Sequence, residues 1–130
     1  MSVTVNIAGD VCITAPYAEK DLLTSSIKEL YAAGDINIVN LECPVNNNGD
    51  THKIVKHGPH LSTTEKVFEQ LKQLNITAVT LANNHILDYG TQGLKSTTEG
   101  CRKNNIAYTG VGKNLADAGQ LFRNIHNLKS

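Results

Sequence analysis

The chain has 130 residues, 40% of them hydrophobic, and its twelve Lys and Arg side chains balance twelve Asp and Glu. This length suits one domain with its own core, so residues 1–130 are predicted to form a single domain. A neutral chain carries no electrostatic footprint for nucleic acid or an anionic membrane, and neither partner is expected. No apolar run approaches the roughly 20 residues that span a bilayer, so no membrane segment is predicted.

Two further features bear on location. The three cysteines form no Cys-x-x-Cys pair and are odd in number, which favours reduced thiols over a disulfide scaffold. The first ten residues do not follow the pattern of a secretory signal. Both features predict a cytoplasmic protein, and a membrane-associated or extracellular location is the alternative if a leader precedes the given sequence.

Short apolar runs alternate with stretches of helical spacing along the chain. The apolar runs predict strands at residues 3–8, 36–41, 76–82 and 106–109, and residues 9–10 are predicted to turn after the first. Helical spacing predicts helices at residues 21–33, 62–74 and 91–103 and from residue 114 onwards to 125. The segment 44–61 is predicted to be irregular. This alternation predicts an α/β fold, in which helices flank a mostly parallel sheet.

Three local signals refine the helices. Residues 62–65 (STTE) match a capping box, so the second helix is expected to begin there. Gly100 is expected to weaken the third helix from within. Asn114 with Asp117 is typical of the start of the fourth.

Polar side chains follow the first three predicted strands. They are Asp10 after the first strand, Asn40 and Glu42 at the end of the second, and Asn83, Asn84, His85 and Asp88 after the third. Ligands of open α/β sheets bind outside the carboxyl ends of the strands. Because parallel strands end at the same edge, we expect these side chains to converge there.

The residue types point to a metal site. Carboxylate and amide oxygens suit Mn²⁺ and Mg²⁺, and an imidazole extends the choice to Zn²⁺ or Fe. A carboxylate such as Glu42 is suited to bridge two metals about 3.5–4 Å apart, which generate a hydroxide for in-line attack on phosphorus. His85 is then placed to protonate the leaving oxygen. Taken singly, each residue also has a structural interpretation as a turn, cap or solvated strand end.

Several segments together resemble one family. They are Gly9-Asp10, residues 39–44 (VNLECP) and residues 81–90 (LANNHILDYG), with weaker similarity at 56–61 and 108–118. This combination resembles the poly-gamma-glutamate capsule-biosynthesis (CapA) family, which belongs with the calcineurin-like metallophosphoesterases. The resemblance extends over nearly the whole chain, and the Asn-Asn-His and Asp-Tyr-Gly block is its most specific part.

The resemblance implies a role for each residue. Asp10, Glu42 and Asn84 would be metal ligands, with Glu42 in the bridging position. His85 would stabilise the transition state or donate a proton, and Asp88 would orient His85 or its loop. The residues placed near the substrate are Asn40, Asn83, Lys56 and His60. The implied cofactor is one or two divalent cations (Mn, Zn, Fe or Mg), and the implied substrate is a phosphorylated or anionic small molecule or polymer.

The chain departs from the superfamily pattern in two respects. Cys12 occupies the position where the wider superfamily often has a histidine, although the capsule branch commonly lacks it as well. The family also continues with further strands and a late histidine motif, so this chain is expected to hold about half of the ligand shell. His57 and His60 are interpreted as surface imidazoles, and His126 as a solvated one.

A partial chain has structural consequences. The expected architecture is part of a metallophosphoesterase-like αββα sandwich, with an apolar face and a sheet edge left exposed. Such surfaces favour pairing with another copy, so self-association is predicted. The leading functional hypothesis is metal-dependent phosphoryl hydrolysis. The alternative is a non-catalytic binding or assembly module of the same fold, and an unrelated flavodoxin-like α/β domain is the less favoured third.

Overall fold

The computed structural model describes residues 2–121. The elements of this range, in chain order, are β1 Val5–Val11, α1 Ala15–Ala18, α2 Ser25–Ala32, β2 Ile36–Leu41, α3 Val67–Gln73, β3 Ala78–Thr80, α4 Gly90–Lys103, β4 Ala107–Thr109 and α5 Leu115–Ala118. None of the helices in this range has the length and apolar character needed to cross a bilayer.

The strands form a parallel sheet in the order β1-β2-β3-β4. This sheet with its connecting helices confirms the predicted α/β class. Parallel crossovers are right-handed, so a sheet whose strands follow chain order carries its connecting helices on one face. Alternation along β2 agrees, because Val39 and Leu41 are buried under the helices while Ile36 and Ile38 are only half-buried on the opposite face.

The core lies between the sheet and the helices. Its buried members from α2, α3 and α4 include Tyr31, Phe68, Leu71 and Cys101, which pack in one cluster with the inward residues of β2 and β3. On the other face, Val5 and Ile7 of the edge strand β1 are 46% and 77% exposed. The described residues therefore cover one face of the sheet and leave β1 open on the other.

Two asparagines end α3 and α4 in the same way. Asn75 and Asn105 have φ of 48° and 55°, the left-handed conformation in which helices often terminate. The next residues close the helices, since the Ile76 amide donates to Leu71 O and the Ile106 amide to Cys101 O, both at 3.0 Å. This is the Schellman arrangement, and it leads the chain directly into β3 and β4.

The predicted start of α3 is wrong. The helix begins at Val67 rather than residue 62, and no side chain caps it. Thr63 instead pairs with Val45 in a parallel bridge: its amide donates to Pro44 O, and its carbonyl accepts from the Asn46 amide, both at 3.0 Å. The capping-box pattern does not start a helix here, because the backbone of Thr63 is already hydrogen-bonded in the bridge to the Val45 segment.

Other boundaries shift for local reasons. β1 continues through Gly9 and Asp10 to Val11, where a turn was expected, and α1 was not predicted. α2 begins at Ser25, four residues after the predicted start, and β3 is shorter than predicted. The last helix ends at Ala118, so its predicted extension is wrong as far as Leu121. The remainder of that prediction, including His126, lies outside the described residues.

The structure shows the roles of Gly100 and Asn114, two residues that the sequence singled out in the helices. Gly100 lies buried inside α4, and a Cβ atom there would overlap the ring of Phe68. Glycine at this position therefore lowers the helix propensity of α4 but allows α4 to pack closely against α3. The Asn114 side chain accepts from the Asp117 amide at 2.9 Å, which confirms the predicted cap of α5.

Candidate functional site

The carboxyl ends of β1 and β2 bring the first two polar positions together. Asp10 lies opposite Asn40 in the strand register, after an irregularity between Ile7 and Asp10. Asn40 Nδ2 donates to Asp10 Oδ1 at 2.6 Å. The expected proximity of Asp10 and Asn40 is therefore present, and the Asp10 side chain remains exposed at the sheet edge.

Asn83 connects this edge to the loop after β3. Its Nδ2 donates to Asn40 Oδ1 at 3.2 Å and to the Leu41 carbonyl at 3.0 Å. Its Oδ1 accepts from the amides of His85 and Ile86 at 3.0 and 2.9 Å. Asn83 thus folds its own loop into an Asx-type turn and anchors that loop to β2.

Asp88 is the buried anion of the site. Its Oδ2 lies 2.8 Å from His85 Nδ1 and accepts from the Leu61 amide at 2.7 Å, while Oδ1 pairs with Lys56 Nζ. Burial raises the pKa of Asp88, but Lys56, His85 and the Leu61 amide outweigh burial, so the pKa is lowered overall. The carboxylate is therefore ionised at neutral pH.

This charge orients the His85 ring. An ionised Asp88 makes Nδ1 the protonated nitrogen, as in other carboxylate–histidine pairs. Lys56 Nζ lies 3.3 Å from Nδ1, so two donors converge on one carboxylate. The opposite nitrogen, Nε2, lies 3.9 Å from Glu42 Oε1. His85 thus lies between a buried Asp–Lys pair and the carboxylate that follows β2.

The carboxylates of Glu42 and Asp10 both affect the pKa of the Cys12 thiol. The Glu42 amide donates to the Val11 carbonyl at 3.2 Å, which holds it beside the end of β1. The pKa of Cys12 is raised overall, first by burial; a hydrogen bond with Cys43 lowers it, and the Glu42 and Asp10 carboxylates raise it further. The thiol and the two carboxylates therefore influence one another electrostatically at the strand ends.

Two predicted residues lie apart from this network. Asn84 is exposed and lines a groove of about 650 Å³ with Leu87 and Gly110. His60 Nε2 lies 2.7 Å from the Ile54 carbonyl, and its ring meets Tyr89 edge-on at 6.2 Å. His60 therefore braces its own loop in this structure.

The donor chemistry fits part of a metal shell. Asp10 and Glu42 offer the oxygen donors that hard and borderline cations take, and His85 Nε2 lies 3.9 Å from Glu42 Oε1 without being counted as a ligand. Within residues 2–121, no three side chains of His, Cys, Asp or Glu are grouped closely enough to hold an ion. The assignment of Asp10, Glu42 and Asn84 as metal ligands therefore stays a prediction.

Two features were missed by reasoning from the residues. Lys56 was placed near the substrate through resemblance alone, whereas it neutralises Asp88. Cys12 and Cys43 have their sulfurs 3.3 Å apart at the ends of neighbouring strands. The available signal was position: each cysteine closely follows a strand that ends in a candidate ligand.

Fold and site together define an α/β domain with an acidic, histidine-containing edge on a parallel sheet. Residues 4–129 match the model of a family described as "Bacterial capsule synthesis protein PGA_cap". The chain belongs to this family, which confirms the resemblance inferred from its motifs.

Relatives from several bacteria support the same placement. The chain is 31% identical to "PGA biosynthesis protein CapA" of Bacillus subtilis (strain 168) over 122 residues, covering 88% of this chain and 32% of that protein. It is 32% identical to "Capsule biosynthesis protein CapA" of Bacillus anthracis over 71 residues, covering 54% of this chain and 17% of the relative. "Uncharacterized protein y4sH" of Sinorhizobium fredii (strain NBRC 101917 / NGR234) is 31% identical over 98 residues, covering 72% and 21%. The chain thus spans about a third or less of the length of these relatives.

Proposed function

We propose that this chain carries part of a metal-dependent phosphoryl-hydrolysis site that acts on a phosphorylated or anionic substrate in capsule synthesis. The printed names of the Bacillus relatives refer to capsule and PGA biosynthesis, which supports the proposed biological setting. The proposed chemistry is supported by the residues themselves.

The observation that carries the proposal is the orientation of His85. Asp88 accepts from Nδ1 at 2.8 Å, and Nε2 is directed to within 3.9 Å of Glu42. A buried carboxylate on one ring nitrogen fixes the orientation of the ring, so that Nε2 is placed to pass a proton to a leaving oxygen. Lys56 offsets the charge of Asp88 and keeps this carboxylate in place.

Asp10 and Glu42 are the proposed ligands. The Asn84 amide is the proposed third, although its side chain lines a separate groove in this structure and would have to turn towards them. These residues would hold a divalent cation (Mn, Zn, Fe or Mg), which would supply charge neutralisation and lower the pKa of a water molecule. Asn40 holds the Asp10 carboxylate by its 2.6 Å hydrogen bond, and Asn83 holds Asn40 in turn. Such supporting contacts typically change metal affinity by about 10–100-fold when removed.

Cation binding is the direct test. Calorimetric titration of the 130-residue chain with Mn²⁺ is expected to show binding that Asp10→Asn and Glu42→Gln each weaken by at least about tenfold. Asp21→Asn is the matched control, because its side chain is 80% exposed and pairs with Lys28, which is not a site residue. Equal Mn²⁺ affinity in the wild type, Asp10→Asn and Glu42→Gln would contradict the proposal.

Hydrolysis of an aryl phosphate in the presence of Mn²⁺ tests the role of His85. His85→Gln is expected to reduce the rate about 10²–10⁴-fold, the range typical of a lost general acid. It should leave Mn²⁺ binding largely intact. Site-dependent binding without any turnover would favour the alternative, a non-catalytic binding module, over the enzyme.

A further inference from the structure

Two thiols meet at the ends of neighbouring strands. Cys12 follows the last residue of β1, and Cys43 lies two residues beyond the end of β2. The strands are parallel and in register here, with Val11 opposite Leu41. The hydrogen bond from the Glu42 amide to the Val11 carbonyl extends this pairing. The backbone therefore holds the two cysteines side by side.

The two sulfurs are in direct non-bonded contact. Cys12 Sγ and Cys43 Sγ are 3.3 Å apart, and a disulfide measures about 2.05 Å. Closing this gap requires the sulfurs to approach by about 1.3 Å, and Cys12 is the exposed member of the pair. Cys43 is 0% exposed, so its thiol is shielded from solutes in bulk solvent. Cys101 is also buried, in α4, and all three thiols are free in this structure.

We propose that Cys12 and Cys43 form a reversible intramolecular disulfide on exposure to a low-molecular-weight disulfide. The Cys12 sulfur attacks one sulfur of the small disulfide, and its proton passes to the departing thiolate. The Cys43 sulfur then attacks Cys12 and releases the second small thiol, which takes the Cys43 proton. Two protein thiols are oxidised, and one small disulfide is reduced to two thiols.

This cross-link has a defined structural effect. Cys12 lies two residues beyond Asp10, and Cys43 is adjacent to Glu42. The bond ties together the two strand ends that carry these carboxylates. The proposal goes beyond the hydrolytic function and does not depend on it. The number of reactive thiols can be measured in the absence of any metal or substrate.

The experiment treats the 130-residue chain with oxidised glutathione, followed by alkylation and mass spectrometry under denaturing conditions. Before alkylation we expect a loss of about 2 Da, the two hydrogens removed in forming one disulfide, and after alkylation the oxidised chain should carry two fewer alkyl groups than the reduced chain. Reactive thiols should fall from the three cysteines present to one, with full reversal by dithiothreitol. A nonreducing tryptic digest should contain residues 1–20 joined to residues 29–53, the peptides that hold Cys12 and Cys43.

Matched variants separate this pair from other thiol chemistry. Cys101→Ser should retain the cross-link, whereas Cys12→Ser should lose it; Cys12 is exposed, so its substitution is compatible with folding. A stable glutathione adduct on Cys12, a Cys12-linked dimer, or three unreacted thiols in the wild type would each overturn the proposal.

Discussion

Asp88 gathers three partners on one fully buried carboxylate: the Lys56 ammonium, the His85 ring and the Leu61 amide. These partners come from the loop before α3 and from the loop after β3. A single charge therefore holds two loops together, although Lys56 and Asp88 are 32 residues apart in the sequence.

The lowered pKa of Asp88 predicts acid sensitivity. In the unfolded chain this carboxyl titrates near its ordinary pKa of about 4, and in the folded chain its pKa is lower. The stabilisation is thus present above the unfolded pKa and is lost as pH falls through the folded pKa. Urea unfolding between pH 7 and pH 2 should show a steeper loss of unfolding free energy for the wild type than for Asp88→Asn. Asp21→Asn should follow the wild type, and an equal slope for Asp88→Asn would refute the role of Asp88.

The site residues show what sequence reasoning can reach. Asp10, Asn40, Asn83 and His85 were predicted to meet because strand ends of a parallel sheet converge, and their hydrogen bonds join these strand ends. The different roles of adjacent loop residues such as Asn83 and Asn84 were harder to predict. No periodicity governs side-chain direction in a loop, and only the folded structure shows that Asn83 points inward.

At the level of elements, prediction worked where local signals were unopposed. β2 has the predicted bounds, and the Asn114 cap begins α5 as expected. The STTE segment failed because Thr63 is used in a bridge to Val45, a contact between residues far apart in sequence. Local helix signals cannot report such competition from tertiary pairing.

Gly100 supports a prediction for the packing of α4. Gly100→Ala raises intrinsic helix propensity, yet its Cβ would overlap the Phe68 ring. We expect a net loss of about 1–3 kcal/mol of unfolding free energy, the usual cost of overpacking a core. Gln92→Ala, at an exposed position of the same helix, should change stability by no more than about 0.5 kcal/mol. Thermal or urea unfolding distinguishes the two, and a stabilised Gly100→Ala would show that the helices separate freely.

At the scale of the whole described range, residues 2–121 form a sheet with helices on one side. These residues leave Val5 and Ile7 of β1 exposed on the other side, next to the half-buried Ile36 and Ile38. Apolar faces of this kind and open edge strands favour contact with other chains. The predicted self-association therefore has a specific candidate surface.

Ile7 is the residue with which to test it. Light scattering during size-exclusion chromatography should show the wild type gaining mass with concentration, and Ile7→Glu should shift the population towards monomer. Because Ile7 is 77% exposed, the substitution is expected to cost little stability. Leu115→Glu is the control, since Leu115 is 89% exposed and lies in α5. A wild type that stays monomeric at high concentration would rule out this surface as a self-association site.

The strand order has a further consequence for biosynthesis. Each strand of the described sheet pairs with the one synthesised immediately before it. Synthesis proceeds from the N-terminus, so each strand becomes available for pairing in chain order. In this topology β2 can pair with β1 before any later strand has been synthesised. The sheet is therefore suited to form by adding one strand at a time during translation.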